Sequence, residues 1–132
     1  MKVKIALLTL LFISNAKATP LPFVDPPLSS SSQSFLYTSA LLMALKSEAS
    51  MNLATLKRYP VEGRKKQLLV QNKLCDINRI IQETEEFMIV NKKFYGDTFN
   101  EMFDSLNKQK NENLAKLEAD CKVLSKELRN FG

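Results

Sequence analysis

The sequence predicts an all-α protein: a three-helix antiparallel bundle with long helices, preceded by a Pro/Ser-rich extended arm. Apolar residues recur at intervals of three and four over long stretches after residue 35, which is the period of a helix. Proline and glycine interrupt that pattern at two places, and no segment alternates apolar and polar residues between turn signals as a strand does. Short connections between long helices favour up-down-up packing within one domain.

The leader segment, residues 1–18, has the features of a secretory signal peptide. Two lysines precede an apolar run over residues 5–13, and Ala16 and Ala18 are the small residues of a cleavage site. At ~1.5 Å per residue this run spans about half of a ~30 Å hydrocarbon core, so it is too short for a membrane-spanning helix. We expect an exported protein, periplasmic or secreted, that begins at Thr19 and has no integral membrane span.

The net charge of the chain depends on that leader. The full sequence carries 19 basic and 14 acidic residues, a formal net charge of +5. A chain this basic is a candidate for binding nucleic acid or anionic membranes. Removing the leader removes three lysines and no acid, which lowers the net charge to +2. We therefore expect no nucleic-acid partner.

Residues 19–34 form the arm. Four prolines between positions 20 and 27 are incompatible with a helix and favour extended or polyproline geometry. One interpretation is a disordered linker, and the other is a segment that docks on a partner or on the protein's own body. The arm is more apolar than a solubilising linker needs to be. Its apolar residues besides proline are Leu21, Phe23, Val24 and Leu28.

The bundle domain covers residues 35–132, and its first helix begins where Ser32 or Ser34 can supply an N-cap. Pro60, followed by Gly63, ends this helix. Leu41 and Met43 widen the apolar surface beyond one stripe, so we expect this helix to contact more than one neighbour. Its main apolar seam repeats every seven residues, at Phe35, Leu42, Ala49 and Leu56.

The second helix is predicted from Val61 or Arg64 to Lys92, and the residues Phe94-Tyr95-Gly96-Asp97 break it. Polar residues such as Asn78 and Glu86 are expected to lie mostly away from its apolar seam. That seam keeps spacings of three and four at Val70, Leu74, Ile77, Ile81 and Met88.

The third helix is predicted to begin at Thr98, where Thr98 and Glu101 match a capping box. Apolar spacing continues almost to the C-terminus and predicts one continuous helix. Residues 107–113 are polar at every position, and they form either a solvated overhang or a place where the bundle opens. The later seam consists of Leu114, Leu117, Cys121, Leu124 and Leu128.

Cys75 and Cys121 are the two cysteines of the chain. In a protein expected to reach an oxidising compartment, a single pair indicates a disulfide. Facing residues of a helical hairpin are equidistant from its turn, and the midpoint of this pair falls next to Asp97. Closing such a loop stabilises the fold by about 4 kcal/mol through the entropy of the unfolded chain. Two thiols without histidine are too few for a zinc site, and the pair lacks Cys-x-x-Cys spacing.

The residue types argue against an enzyme. The chain has no His, which excludes Ser-His-Asp and Cys-His catalytic units and His-ligated zinc. Glu83, Glu85 and Glu86 form a carboxylate cluster, but the acids of these helices are interspersed with Lys and Asn in the manner of solvated faces. A hydrolase would need two acids held across a cleft, which a small bundle does not offer. We expect no catalytic residues, no cofactor and no bound metal.

Two groups of residues are candidates for binding. The first, the basic corner, brings five cations to one end of the bundle: Lys57, Arg58, Arg64, Lys65 and Lys66. It is either a solvated corner or a contact for anionic headgroups, a polysaccharide or an acidic partner. The second, the aromatic tip, lies near the turn between helices two and three and comprises Phe94, Tyr95, Phe99 and Phe103. It is either covered by helix packing or exposed as an apolar patch.

The sequence therefore predicts an exported, non-enzymatic protein of helical-bundle or coiled-coil type that functions by binding. Its partner is another protein or an anionic surface, contacted through the basic corner or the aromatic tip. The alternative is a small structural subunit of a bacterial envelope or surface assembly, such as a pilus or secretion apparatus. Self-association belongs with that alternative, because helix one is apolar around much of its circumference.

Overall fold

The computed structural model of the protein describes residues 32–131; the predicted leader and most of the arm lie outside this range. Within it, 88% of residues are helical and none is in a strand, which confirms the all-α prediction. The helices are α1 (Ser32–Arg58), α2 (Arg64–Val90), the single turn α3 (Lys92–Tyr95), α4 (Phe99–Ala115) and α5 (Cys121–Asn130). A 3₁₀ turn, Gly96–Thr98, links α3 to α4. Four helices of ten or more residues therefore stand where three long ones were predicted.

Helix α2 is the centre of the fold and packs against α1, α4 and α5. Near the middle of α1, Ala49 packs with Ile77, Ile80 and Ile81 of α2. Near the start of α1, Phe35 belongs to a cluster with Phe87 close to the end of α2. The two helices therefore run in opposite directions along an apolar interface.

The junction between α1 and α2 follows the sequence signals. Helix α1 ends at Arg58 and α2 begins at Arg64, with Pro60 and Gly63 between them. Gly63 has φ 123°, a left-handed conformation that glycine adopts without strain. The ammonium of Lys66 donates to the carbonyl oxygens of Lys57 at 3.1 Å and Tyr59 at 2.6 Å. A cation from α2 thus satisfies carbonyl groups at the end of α1.

The start of the third predicted helix is correct, but its predicted capping box is wrong. Helix α4 begins at Phe99, directly after Thr98. The hydroxyl of Thr98 donates to the carbonyl oxygen of Tyr95 at 2.7 Å instead of accepting from α4. Capping by a threonine side chain needs an extended backbone, whereas the preceding 3₁₀ turn holds Thr98 at φ −84°, ψ −8°.

The third predicted helix is not continuous, because residues 116–120 separate α4 from α5. Asp120 is extended at φ −61°, ψ 145°, and its carboxylate accepts from the Lys122 amide as an N-cap. The side chain of Gln71 on α2 donates to the Lys116 carbonyl and accepts from the Glu118 amide, both at 2.9 Å. These bonds from α2 satisfy the backbone groups that the break releases.

The predicted disulfide joins Cys75 in the middle of α2 to Cys121, the first residue of α5. The sulfur atoms are 2.05 Å apart and the Cα atoms 6.0 Å apart. Because Cys121 follows the break, the bond fixes the position at which α5 begins on α2. Helix α1 has no disulfide and is held by packing, by its connection to α2 and by side-chain hydrogen bonds such as Lys46 to Gln109.

Candidate binding surfaces

A polar seam, missed by the sequence analysis, joins α2 to α4. Glu85 was assigned to a solvated face, yet it is only 4% exposed. Its carboxylate forms an ion pair with the ammonium of Lys110, and the side-chain amide of Asn107 lies 3.4 Å from its second oxygen. The same ammonium donates to Gln82 at 3.0 Å. The buried carboxylate is therefore occupied by neighbours from α4.

Two asparagines extend this seam by one further turn. The side-chain amide of Asn78 donates to the carbonyl oxygen of Lys110 at 3.1 Å. Asn113 donates in turn to the side-chain oxygen of Asn78 at 2.9 Å, and both residues are buried. The polar segment 107–113, expected to be a solvated overhang or an opening of the bundle, is thus an interface segment. Within residues 34–131 every buried side-chain nitrogen or oxygen has a hydrogen-bond partner.

Two members of the predicted basic corner are engaged within the fold. The guanidinium of Arg64 binds both carboxylate oxygens of Glu127 at 2.9 Å and those of Glu118 at 2.9 and 3.0 Å. These hydrogen bonds raise the pKa of Arg64 above its ordinary value and lower the pKa of Glu127 below 4.5. Lys66 binds the end of α1, as described above. Their charges are therefore partly neutralised by protein groups.

The other three cations of the basic corner, Lys57, Arg58 and Lys65, are exposed. Within residues 32–131 no carboxylate forms an ion pair with any of them. Glu62, the acid in the connecting segment, lies 3.4 Å from the ammonium of Lys66. Within residues 32–131, three of the five cations of the basic corner are therefore exposed and without an ion pair.

The predicted aromatic tip is packed rather than splayed open. Phe35 of α1 stacks on Phe94 with ring centroids 4.9 Å apart and meets the ring of Tyr95 edge-on at 5.0 Å. Further along, the ring centroids of Tyr95 and Phe99 are 6.2 Å apart, and those of Phe99 and Phe103 are 5.3 Å apart. Burial raises the pKa of the Tyr95 hydroxyl, partly offset by its hydrogen bond with Ser39. Most of these rings pack together and hold the start of α1 against the turn that connects α2 to α4.

The solvent face of α1 carries an uncharged stripe. Leu36, Met43 and Met51 are 63%, 62% and 67% exposed, although all three are large and apolar. Ala40, Ser47 and Ala54 complete the α1 stripe and are exposed as well. Successive positions are three or four residues apart, so the six residues form a line along the helix opposite its core-facing side. The sequence predicted only that helix one is apolar around much of its circumference, and it did not predict this line of residues.

A groove of about 380 Å³ lies between α1 and α4, above α2. Leu42 and Met88 form part of its lining and are themselves fully buried, and Leu106 of α4 adds to it. Tyr95 and Lys46 also line the groove. The ammonium of Lys46 donates to Gln109 at 3.1 Å, which links α1 to α4 beside the groove. The sequence pattern contains no signal for this space, because it results from how far apart α2 holds α1 and α4.

Within residues 32–131 no group of three or more Cys, Asp or Glu side chains is arranged to hold a metal ion. In the same range, no helix combines the length and hydropathy needed to cross a membrane. Comparison with known proteins finds no match to a protein-family model, to a curated protein or to a solved structure.

Proposed function

We propose that this chain is an exported, non-enzymatic helical protein that acts by binding another protein through the α1 stripe. The observation that carries the proposal is the exposure of Leu36, Met43 and Met51 in one line on a long helix. Between residues 32 and 56 the helix has only two charged side chains, Lys46 and Glu48. A solvent-facing helix with no other role normally carries charges on its outer face.

The form of the stripe indicates a helical partner. Spacings of three and four place side chains where they interdigitate with those of a second helix. Ala40, Ser47 and Ala54 are small, which permits close approach of the two backbones, and the methionines between them adapt to irregular surfaces. The stripe from residue 36 to residue 54 is ~27 Å long at ~1.5 Å per residue, enough for about five turns of contact.

Two other features support the exported and non-enzymatic parts of the proposal. A structural disulfide between Cys75 and Cys121 is typical of proteins that fold in an oxidising compartment. Glu85, the buried carboxylate, is bound by Lys110 and Asn107 rather than left available for acid–base chemistry. N-terminal sequencing of the secreted protein tests the export step, and a start at Thr19 is the expected result.

A second candidate function, a structural subunit that assembles with its own copies, is favoured by the symmetry of the stripe. Ser47 lies at its centre, Met43 and Met51 are four residues away on either side, and Ala40 and Ala54 are seven away. Two antiparallel copies of α1 related by a two-fold axis at Ser47 would therefore pair methionine with methionine and alanine with alanine. Such an isologous contact is the usual arrangement of a symmetric dimer.

The test introduces charged residues at the centre of the α1 stripe in the full processed protein. Met43→Glu with Met51→Glu places two charges in the proposed contact, and Val123→Glu is the matched control on the exposed side of α5. Crosslinking in the native host, followed by mass spectrometry, should give one partner for the wild type and the control but not for the double variant. Equal crosslinking in all three proteins would contradict the proposal.

Light scattering after size exclusion separates the two candidates. A dimer of the wild type and the Val123→Glu control that becomes monomeric in the double variant supports assembly of like copies. A monomer in every case, together with crosslinks to a different protein, supports the first candidate. Lys57→Glu with Lys65→Glu tests the basic corner separately, because these residues are exposed and make no ion pair within residues 32–131. If only that pair abolished crosslinking, the α1 stripe would not be the binding site.

A further inference from the structure

The connection between α1 and α2 is an exposed surface that the function proposed above does not use. Every residue from Lys57 to Gly63 is exposed, and so is Lys65 at the start of α2. Two of these residues are large and apolar: Tyr59 is 58% exposed and Val61 is 56% exposed. In the sequence they are flanked by the three cations of the basic corner that have no ion pair within residues 32–131. The junction patch consists of Lys57, Arg58, Tyr59, Val61 and Lys65.

We propose that the junction patch docks on the surface of a membrane that contains anionic phospholipids. Its cations pair with lipid phosphate groups, while Tyr59 and Val61 enter the headgroup region of the bilayer. Groups of Lys and Arg bind anionic leaflets electrostatically, and Tyr is enriched at the membrane–water interface because it joins an apolar ring to a polar hydroxyl. The inference does not depend on the α1 stripe and stands if that proposal fails.

Hydrogen bonds within the fold hold the junction patch in one shape. The ammonium of Lys66 binds the Tyr59 carbonyl, and the Tyr59 amide donates to the Leu56 carbonyl at 3.2 Å. Pro60, the next residue, has a fixed φ and lacks an amide hydrogen that would need a partner. Tyr59 and Val61 are therefore exposed on a hydrogen-bonded turn. Docking such a turn costs less conformational entropy than ordering a loose loop.

The charge of the junction is positive even after the acids near it are counted. Residues 57–66 contain five cations and one acid, Glu62. Arg64 is bound by two further acids, Glu118 and Glu127. Five cations against three acids leave an excess of two positive charges at this end of the bundle. This excess is complementary to the negative potential of an anionic leaflet, which extends over about one Debye length, ~8 Å at physiological ionic strength.

Lys65 is the cation of the junction patch whose position the fold itself does not favour. Lys57 and Arg58 are in the last turn of α1, where the helix dipole favours positive charge. Lys65 is in the first turn of α2, where the dipole disfavours it, and that turn contains no acidic residue. Within residues 32–131 no carboxylate forms an ion pair with Lys65. An anionic headgroup beside Lys65 would neutralise a charge that the protein leaves uncompensated.

The opposite end of α2 has a similar composition, but its cations are engaged by the protein. Ile89 and Val90 are exposed to the same degree as the apolar residues of the junction patch. The ammonium groups of Lys92 and Lys93 lie over aromatic rings of the protein, 4.8 and 5.3 Å from the ring centroids. The two ends of α2 are ~40 Å apart at ~1.5 Å per residue, so this end provides matched control positions.

Sedimentation with lipid vesicles tests the proposal on the full processed protein. The wild type should bind vesicles of equal parts phosphatidylglycerol and phosphatidylcholine at least ~tenfold more tightly than vesicles of phosphatidylcholine alone. Added salt should weaken this binding, because it screens exposed charges. Equal binding to the two kinds of vesicle, or binding to neither, would overturn the proposal.

Charge variants show whether the junction patch is the part of the protein that binds. Lys57→Gln with Lys65→Gln removes two contacts to lipid phosphate, which should lower the affinity for the phosphatidylglycerol vesicles about thirtyfold. Lys92→Gln with Lys93→Gln removes the same charge from the other end of α2, far beyond one Debye length, and should change the affinity by less than about threefold. Equal losses in the two double variants would mean that net charge, rather than the junction patch, causes binding, which contradicts the proposal.

A tryptophan at position 59 reports whether the patch enters the bilayer, because the natural chain contains no other. Phosphatidylglycerol vesicles should shift the emission maximum of Tyr59→Trp to the blue, whereas the emission of Ile89→Trp, the equally exposed control, should not change. Dextran sulfate, a soluble polyanion without an apolar phase, should leave the emission of Tyr59→Trp unchanged. Tight binding of dextran sulfate without a blue shift on vesicles would identify a polyanion site and contradict membrane docking.

Discussion

The two sides of α2 are held to their neighbours by different kinds of interaction. On the α1 side the contact is apolar, formed by residues such as Leu42, Ala49 and Ile81. On the α4 and α5 side it contains the Glu85–Lys110 ion pair, the Asn78–Asn113 hydrogen bond and the disulfide. The contact with α1 thus relies on apolar burial, whereas the contact with α4 and α5 adds directional and covalent links to the burial of residues such as Leu124.

The difference shows what each kind of contact determines. Apolar burial favours the association of α1 with α2 but distinguishes weakly between neighbouring registers. A buried asparagine or ion pair is satisfied in one register, and shifting it leaves a polar group without a partner at a cost of ~1–3 kcal/mol. We infer that the polar seam fixes the alignment of α4 on α2, whereas side-chain shape aligns α1.

Removing the disulfide is expected to have the largest effect on stability. Replacing both Cys75 and Cys121 with Ser releases a loop closed over a sequence separation of 46, which is worth about 4 kcal/mol in the chain-entropy treatment. Urea unfolding followed by circular dichroism measures the loss. Because the disulfide holds the first residue of α5 against α2, the hydrogen exchange of α5 amides should increase most, and that of α1 amides least. Equal acceleration in α1 and α5 would contradict the proposed division between the two sides.

The next largest effect is expected on the apolar side. Leu42 is 1% exposed, so Leu42→Ala removes buried methyl groups and leaves a cavity, which costs about 3 kcal/mol. Met43, the adjacent residue on the exposed face, is the matched control, and Met43→Ala should change stability by no more than ~0.5 kcal/mol. Urea unfolding of both variants gives the comparison. Similar losses for both would mean that the exposed face of α1 is itself covered.

The polar side offers a test of register. Lys110→Met removes one partner of the buried ion pair and leaves Glu85 without its cation, which costs about 2 kcal/mol because Lys110 is partly exposed. Adding Glu85→Leu removes the uncompensated carboxylate and should recover most of that loss. A double variant as unstable as Lys110→Met would show that packing, rather than charge burial, causes the effect. Broadened NMR signals from α4 in the double variant would indicate that α4 samples more than one register on α2.

The helix ends that proline and glycine determine could be predicted from the sequence. Pro60 and Gly63 placed the end of α1 and the start of α2 correctly, because both residues act on the local backbone. The break at residues 116–120 could not be found in the same way, since apolar spacing continues across it from Leu114 to Leu128. Its local signal is Asp120 as an N-cap, and the residue that hydrogen-bonds the backbone within the break, Gln71, is distant on α2.

The surfaces were less predictable than the helices. Periodicity counts apolar residues, so it assigned Glu85 to a solvated face and segment 107–113 to a solvated overhang or an opening of the bundle. Instead, Glu85 pairs with Lys110 and Asn107 of that segment. The five cations of the basic corner lie within ten residues of one another in the sequence. Glu118 and Glu127, which bind Arg64, are more than fifty residues away from it. Phe35, which packs against the aromatic tip, is also distant in sequence. Charge and aromatic clusters are thus visible in a sequence, whereas the residues that cover them are not.

Acid sensitivity at the far end of the α2–α5 contact is the smallest predicted effect. Arg64 lowers the pKa of Glu127 below its ordinary 4.5, so the folded state binds a proton less readily than the unfolded chain. The resulting stability is fully present above about pH 4.5 and is lost as pH falls through the lowered pKa. Hydrogen exchange of α5 amides should therefore accelerate over this range relative to α1. In Glu127→Gln that pH dependence should be reduced, because the neutral amide cannot titrate, while the disulfide still holds the start of α5. An unchanged pH profile in this variant would contradict the assignment of the acid sensitivity to Glu127.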